Sequence, residues 1–265
     1  MKDFRRHKVL SSRGTRLAVF ESGQRKRPTV FFVHGAAGST SNWHYQLIDL
    51  KSDYHVVSVD LRGHGHSSWP GHSSLEEFHG DMDAVLSALE LKGPMVVVAH
   101  SFGGCLATHL AERRPDLVKG LALFDTAGEI PKGVMYRLLL LFSTKADLMR
   151  KQFPWMLAAD AKVIQSVLTF PIKEWDCWDV YPRLQMPVFV AAGAMDVLIP
   201  ARLSRRVAEL APRSRLEVVA GAGHVLMMEK PELVNGWLRE FLDQCLDEPE
   251  NENPLESRPG SSQRR

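Results

Sequence analysis

The sequence predicts an α/β protein, a mostly parallel sheet enclosed by helices. Three observations carry this. Short runs that are apolar at almost every position recur along the chain. Helical stretches alternate with them, and one run leads straight into a serine among small residues at a helix start. Continuous rather than alternating apolar runs mark strands covered on both faces. Strand and helix in alternation give a parallel sheet, because parallel neighbours need a crossover connection.

Residues 17–20 (LAVF) read as a strand and 29–33 (TVFFV) as a buried one. Further buried strands are expected at 54–59, 95–99, 120–124, 188–192 and 216–219. Helices are expected over 75–91, 102–114, 203–211 and 232–246. The interval 131–183 breaks the alternation. It is rich in Leu, Met and Trp, and Pro131, Pro154, Pro171 and Pro182 cut it into short pieces, since proline interrupts helices. It reads as a helical cap inserted over one end of the sheet, with residues 1–130 and 184–246 forming the core. Residues 247–265 carry almost no apolar side chain and are expected to be disordered, because they cannot offset their ordering entropy by burial.

Composition narrows the function. Of 265 residues, 45% are hydrophobic and 24% charged, which suits a globular chain and excludes a collagen or a disulfide miniprotein. A net charge of +2 is too balanced for a nucleic-acid footprint. Cys105, Cys177 and Cys245 form no CxxC pair, which removes zinc ribbons and thioredoxin-like sites. A sparse, odd cysteine count suits a reducing compartment. The basic start, residues 1–8, leads into no apolar stretch of signal-peptide type. No run of 18 apolar residues follows. A cytoplasmic location is expected.

The strongest signal is the run Met95-Val96-Val97-Val98-Ala99-His100-Ser101-Phe102-Gly103-Gly104. A buried strand, a serine flanked by small residues and a following helix make a nucleophile elbow. The tight turn lifts the hydroxyl clear of the sheet. Bulk two positions away on either side would clash, and here Ala99 and Gly103 stand there. The helix N-terminus beneath Ser101 favours developing negative charge.

On these residues the chain resembles the α/β-hydrolase superfamily, in the branch of single-domain serine hydrolases that carry a cap. The resemblance covers about residues 5–245. It implies eight strands, the second antiparallel, with the cap after the sixth, and so asks for one more strand near 5–10. It also implies a base in the loop after the last strand, where Gly221-Ala222-Gly223-His224 stands. An orienting acid is implied after the seventh strand, where Val190-Ala191-Ala192-Gly193-Ala194-Met195-Asp196 stands. Asp125, just past the sixth strand, is the alternative acid, since some relatives carry it there. Val33-His34-Gly35-Ala36-Ala37-Gly38 resembles the family's oxyanion loop, so the backbone N–H groups of Ala36 and Phe102 are the implied donors. Asp60-Leu61-Arg62-Gly63-His64-Gly65-His66-Ser67 resembles a family loop in which Asp60 and Arg62 tie neighbouring loops together.

His64, His66, His72 and His79 offer a suggestive H-x-H spacing, but no carboxylate or thiolate cluster in the sequence completes a metal set, so no metal is expected. Neither a P-loop nor G-x-G-x-x-G is present, and no cofactor is expected. The cap's apolar stretch, residues 134–142, and its tryptophans favour an apolar acyl substrate. His34, Leu139, Trp155, Trp178 and Val197 are the expected pocket residues. Packing of the cap onto the core explains these side chains equally well. Docking on a lipid surface through residues 138–142 is a third reading, with a thin polar flank behind it.

The expected function is cofactor-free hydrolysis of a small, largely apolar carboxylic ester through Ser101, His224 and Asp196. Lactone, thioester, amide and carbon–carbon hydrolysis stay open, because the same groups serve them all. A ligand receptor on the same fold, with slow hydrolysis, is the rival from another class.

Overall fold

The computed structural model describes residues 3–152 and 157–246. The expected tail at 247–265 lies outside the described residues. The strands are β1 (Arg5–Leu10), β2 (Arg16–Ser22), β3 (Thr29–Val33), β4 (His55–Asp60), β5 (Met95–His100), β6 (Val118–Phe124), β7 (Val188–Gly193) and β8 (Ser214–Val219). They form one sheet in the order β1-β2-β4-β3-β5-β6-β7-β8. β2 runs antiparallel to both β1 and β4, and every other pairing is parallel. Every residue of β3, β4, β5 and β7 is buried. That burial is what their unbroken Val, Ala and Phe runs predict.

The helices are α1 (His44–Leu50), α2 (Leu75–Ala88), α3 (Phe102–Arg113), α4 (Val134–Ser143), α5 (Ala146–Gln152), α6 (Ala161–Thr169), α7 (Pro171–Glu174), α8 (Ala201–Leu210), α9 (Leu226–Glu229) and α10 (Pro231–Leu246). Two hydrophobic cores result. Phe31, Phe78, Phe102, Leu106 and Trp175 lie in one; Phe32, Trp43, Phe124, Phe189 and Phe241 lie in the other. A capping box starts α2: Ser74 Oγ accepts from Glu77 N, and Glu77 returns a carboxylate to Ser74 N.

Between β6 and β7 lie α4 to α7, the interval read as a cap. Helix α6 buries Ala161, Val163, Ile164, Val167 and Leu168, the spacing of one helical face. Asp147 carries its first amide, accepting from Ala161 N at 2.9 Å. Pro171 opens α7 at its first turn, where no donor is needed. The outer surface of α4 leaves Val134, Leu141 and Phe142 exposed.

Several elements differ from the sequence reading, the short α9 among them. Helix α1 was not expected; its seven residues bury Leu47 and Leu50 against the sheet, and a capping box between Ser39 and Asn42 prepares it. Strand β8 is half-exposed, not covered on both faces, because it is the sheet's edge. No helix among the described residues is long and apolar enough to cross a membrane.

Candidate active site

Ser101 joins β5 to α3 at φ 50°, ψ −122°. A non-glycine residue held at positive φ stores about 1–3 kcal/mol, which the surrounding packing must sustain. Here Ser101 N donates to Phe124 O at 3.0 Å, and Thr126 Oγ1 donates to Ser101 O at 2.7 Å. A Cβ on Gly103 would stand 2.6 Å from the Val33 carbonyl oxygen and closer still to that of His34. Only glycine lets α3 start this close to the end of β3.

His224 Nε2 lies 3.1 Å from Ser101 Oγ, and its Nδ1 lies 2.7 Å from Asp196 Oδ2. The carboxylate can only accept, so Nδ1 carries the proton and Nε2 faces the serine hydroxyl as an acceptor. Asp196 is buried, and its other oxygen accepts from Leu198 N and Ile199 N at 2.8 and 2.9 Å. The three expected residues thus form one continuous hydrogen-bonded chain.

Three side chains hold the His224 loop. Glu229 accepts from Gly223 N at 2.8 Å and Val225 N at 3.3 Å. Asp125 Oδ2 accepts from Leu226 N at 3.0 Å, while its Oδ1 accepts from Gly193 N at 2.8 Å. His100 Nε2 donates to the His224 carbonyl at 2.7 Å. The loop also packs directly on the end of β7, where a Cβ on Gly193 would meet the Ala222 carbonyl carbon at 2.7 Å.

Asp125 makes no bond to the imidazole. It bridges two backbone amides, and the imidazole is bonded to Asp196. Burial raises its carboxyl to about 7, against the pull of His224 and of the two amides. Burial and the adjacent His224 push the His100 imidazole well below the usual range, so it is neutral. The sequence reading missed His100 and Glu229. His100 stood immediately before the serine, and the Glu229 spacing, six residues past Gly223, was a legible signal.

The loop at residues 34–38 is fixed from behind. His34 is fully buried; its Nδ1 bonds Gly35 O at 2.7 Å and its Nε2 accepts from Leu61 N at 2.9 Å. His64 Nδ1 donates to Arg62 O, and its Nε2 accepts from Ala37 N at 3.1 Å. Burial lowers His64 to about 3 and lowers His34 as well. Gly38 N bonds Gly35 O. The amides of Ala37 and Gly38 are thus committed, and Ala36 lies at the cavity edge. Arg62 grips Asp81 through two 2.7 Å bonds, and Asp60 accepts from Thr40 N and His66 N, so both tie loops as the resemblance implied.

Above Ser101 lies a cavity of about 340 Å³. Ser101, His100, His224 and Asn42 supply its polar floor, and Ile130, Leu139, Phe142, Leu157, Ile164 and Leu198 are among its apolar walls. Of the expected pocket residues, Leu139 lines it. His34 does not, being sealed beneath the loop. Val197 points to solvent, and its neighbours Leu198 and Ile199 line the wall instead. Trp178 fills the space beside Gly128, with the Arg206 guanidinium 4.2 Å above its ring, so it packs the cap's exit rather than the cavity. Trp155 lies outside the described residues.

The four histidines of the H-x-H reading do not converge. His66 bonds Asp60, His72 lies 3.9 Å from Glu77, and His64 serves the loop at residues 34–38. A different set does come together: Cys105, His109 and Cys177. The i, i+4 spacing of Cys105 and His109 was its only sequence signal, and Cys177 is brought in by the fold alone.

The profile of the alpha/beta hydrolase family matches residues 30–237, which spans β3 to α10 and every residue of this site. The chain belongs to the alpha/beta hydrolase family. Protein ABHD8 from Mus musculus is 30% identical over 250 residues, covering 84% of this chain and 56% of that protein. The chain thus spans about half the length of the curated relatives it matches. Among solved structures, a hydrolase from Pseudomonas aeruginosa superposes with a TM-score of 0.79 at 23% identity, over 90% of this chain and 98% of that one. A thermophilic esterase from Thermogutta terrifontis gives 0.75 at 25% identity, over 91% and 99%. The alpha/beta hydrolase sheet, with β2 antiparallel, is the framework that runs β5, β6, β7 and β8 parallel and adjacent in that order and so gathers their C-terminal loops at one edge.

Proposed function

We propose that the chain is a serine hydrolase that cleaves a carboxylic ester, or a closely related acyl bond, of a small and largely apolar substrate. The observation that carries this reading is the hydrogen-bonded chain Asp196–His224–Ser101 ending on the floor of an apolar cavity. His224 takes the Ser101 proton as the hydroxyl attacks the carbonyl, and Asp196 stabilises the imidazolium. The amides of Ala36 and Phe102 hold the oxyanion, helped by the N-terminus of α3. His224 then gives its proton to the leaving alcohol. Water activated by the same nitrogen releases the acyl group.

The cavity supports the substrate class. Its volume is near the lower end of the roughly 300–1,000 Å³ range of small-molecule sites, and its walls are aliphatic. Phe142 lines it yet is largely exposed, which places this side chain at the mouth. The esterase likeness points the same way. The balanced charge favours no nucleic-acid partner, and the sparse cysteines favour the cytoplasm.

The test is kcat/KM over p-nitrophenyl esters of graded acyl length. Short and medium chains are expected to turn over best, and Leu139→Ala should move the optimum to longer chains. Absence of multiple turnover on every ester, with a single covalent modification of the chain, would replace this reading with a ligand receptor.

A further inference from the structure

Behind the serine, the fold gathers a second set of reactive side chains. Cys105 and His109 are four residues apart on α3 and so share one helical face. Cys177 lies beyond α7, on the segment returning to β7, where its amide donates to Gly128 O at 2.7 Å. Its sulfur lies 3.6 Å from Cys105 Sγ and 3.5 Å from His109 Nε2. All three atoms lie within 4.8 Å of one another. Both cysteines are fully buried, while the His109 ring is 21% exposed and gives the set an opening to solvent.

We propose that Cys105, His109 and Cys177 bind a divalent cation of borderline softness, best matched by Zn²⁺, and that this ion clamps the segment leaving the cap to the nucleophile helix. Tetrahedral bonding at about 2.3 Å to sulfur and about 2.0 Å to nitrogen puts two sulfurs about 3.8 Å apart and sulfur and nitrogen about 3.5 Å apart. The two spacings from Cys177 Sγ need adjust by only a few tenths of an ångström, and the third, from Cys105 Sγ to His109 Nε2, lies within 4.8 Å. A thiol–thiol contact has a similar length, so the third donor and its surroundings decide the matter. Thiolate and imidazole are the donors zinc selects. Two thiolates and a divalent ion sum to zero charge, which a buried place tolerates far better than bare thiolates.

The shell behind His109 fits as well. Its other nitrogen, Nδ1, faces Glu112 Oε2 at 3.7 Å, and Arg183 Nε holds Glu112 Oε1 at 2.7 Å. A carboxylate behind a ligating histidine sets its tautomer and strengthens it as a ligand. The protein supplies three donors, leaving the fourth position to water from the open side of His109. There the ring of His79 lies tilted against His109 with centroids 5.0 Å apart, and its buried Nε2 has no hydrogen-bond partner among the described residues. That nitrogen is available to hold the water. The clamp acts on the cavity through Cys177 and Gly128, since Ile130, two residues beyond Gly128, is part of the wall. A disulfide needs sulfurs at about 2.0 Å, so the pair would have to close by more than an ångström. It would also leave Glu112, His109 and the idle His79 nitrogen without a common purpose.

The test uses the full chain, reduced and stripped with a chelator, then titrated with Zn²⁺ and in parallel with Co²⁺. One ion per chain is expected by metal analysis, with a thiolate-to-cobalt charge-transfer band and the strong visible absorption of tetrahedral cobalt. Cys177→Ser and His109→Gln should abolish stoichiometric binding. Cys245→Ser should leave it unchanged, and Glu112→Gln should weaken it by about 10- to 100-fold. Should Cys177→Ser fail to fold, His109→Gln carries the decision, because its side chain is partly exposed. Failure of the wild type to take up either ion overturns the proposal, as does uptake that survives His109→Gln. A Cys105–Cys177 disulfide that forms in air to the same yield with and without Zn²⁺ also overturns it, in favour of a redox pair.

Discussion

Replacing Asp196 by asparagine separates the orienting acid from its neighbour Asp125, and the geometry sets the size of the effect. Asp196 Oδ1 accepts from two amides, Leu198 N and Ile199 N. An asparagine must keep its carbonyl oxygen there, because its NH₂ cannot accept. The NH₂ then faces His224 Nδ1 in place of the 2.7 Å carboxylate oxygen. The imidazole must answer with an unprotonated Nδ1, so Nε2 carries the proton and cannot take the one on Ser101. A triad forced into the wrong tautomer loses about 10⁴-fold in turnover, equal to about 5.5 kcal/mol of barrier. Asp125→Asn meets a different problem. Each of its oxygens accepts from an amide, Gly193 N or Leu226 N, and one of those must now face an NH₂. The unsatisfied donor costs about 1–3 kcal/mol of stability, with the imidazole tautomer untouched. Initial rates on a p-nitrophenyl ester at pH 8, beside urea melts, read both effects. Asp196→Asn should fall by several orders of magnitude with nearly wild-type stability. Asp125→Asn should melt earlier and keep rates within about tenfold. The reverse ranking would move the acid to Asp125, and losses below tenfold for Asp196→Asn would refute the tautomer argument.

Three further outcomes are expected. His100→Leu removes the donor to the His224 carbonyl, so kcat/KM should fall about tenfold, the worth of one hydrogen bond of about 1.4 kcal/mol; an unchanged value would show the loop is held by Glu229 and Asp125 alone. Gly103→Ala drives a methyl into the Val33 and His34 carbonyls, costing about 1–3 kcal/mol and lowering Tm by several degrees, with Ser101 displaced and activity lost. His64 is held near 3 in the fold and so binds its proton only on unfolding. The unfolded chain therefore binds the extra proton below about pH 6.5, and stability falls as pH falls through that range. His64→Asn should flatten the curve by about 1.4 kcal/mol per pH unit between pH 5.5 and 4, measured by urea titration, and an unaltered slope would contradict a neutral buried His64.

Much of this molecule was legible in its residues. The buried strands announced themselves because parallel strands are apolar on both faces, and β3 to β7 fell where the runs of Val, Ala and Phe stood. Ser101 stood out in the sequence because a buried strand runs straight into it among small residues; Asp196 and His224 were located by the family resemblance, and the fold brings the three within hydrogen-bond reach. Helix α1 was not, since seven residues with two buried leucines carry too little periodicity to separate from a loop. The pocket was read least well. His34, Trp178 and Val197 are near the site in sequence, but side-chain direction decides which faces the cavity, and three-dimensional packing sets that direction. Cys105, His109 and Cys177 show the same limit. Two of them share a helical face, and the third, 68 residues beyond His109, arrives only through the path of the chain.

The central claim is that Ser101 is the nucleophile, and covalent trapping tests it most directly. The full chain is treated with a fluorophosphonate probe at neutral pH, digested, and mapped by mass spectrometry, alongside Ser101→Ala. The account predicts one adduct per chain, on the peptide carrying Ser101, slowed by several orders of magnitude in His224→Ala and absent in a folded Ser101→Ala. An adduct on another residue, or equal labelling of the Ser101→Ala variant, would contradict it.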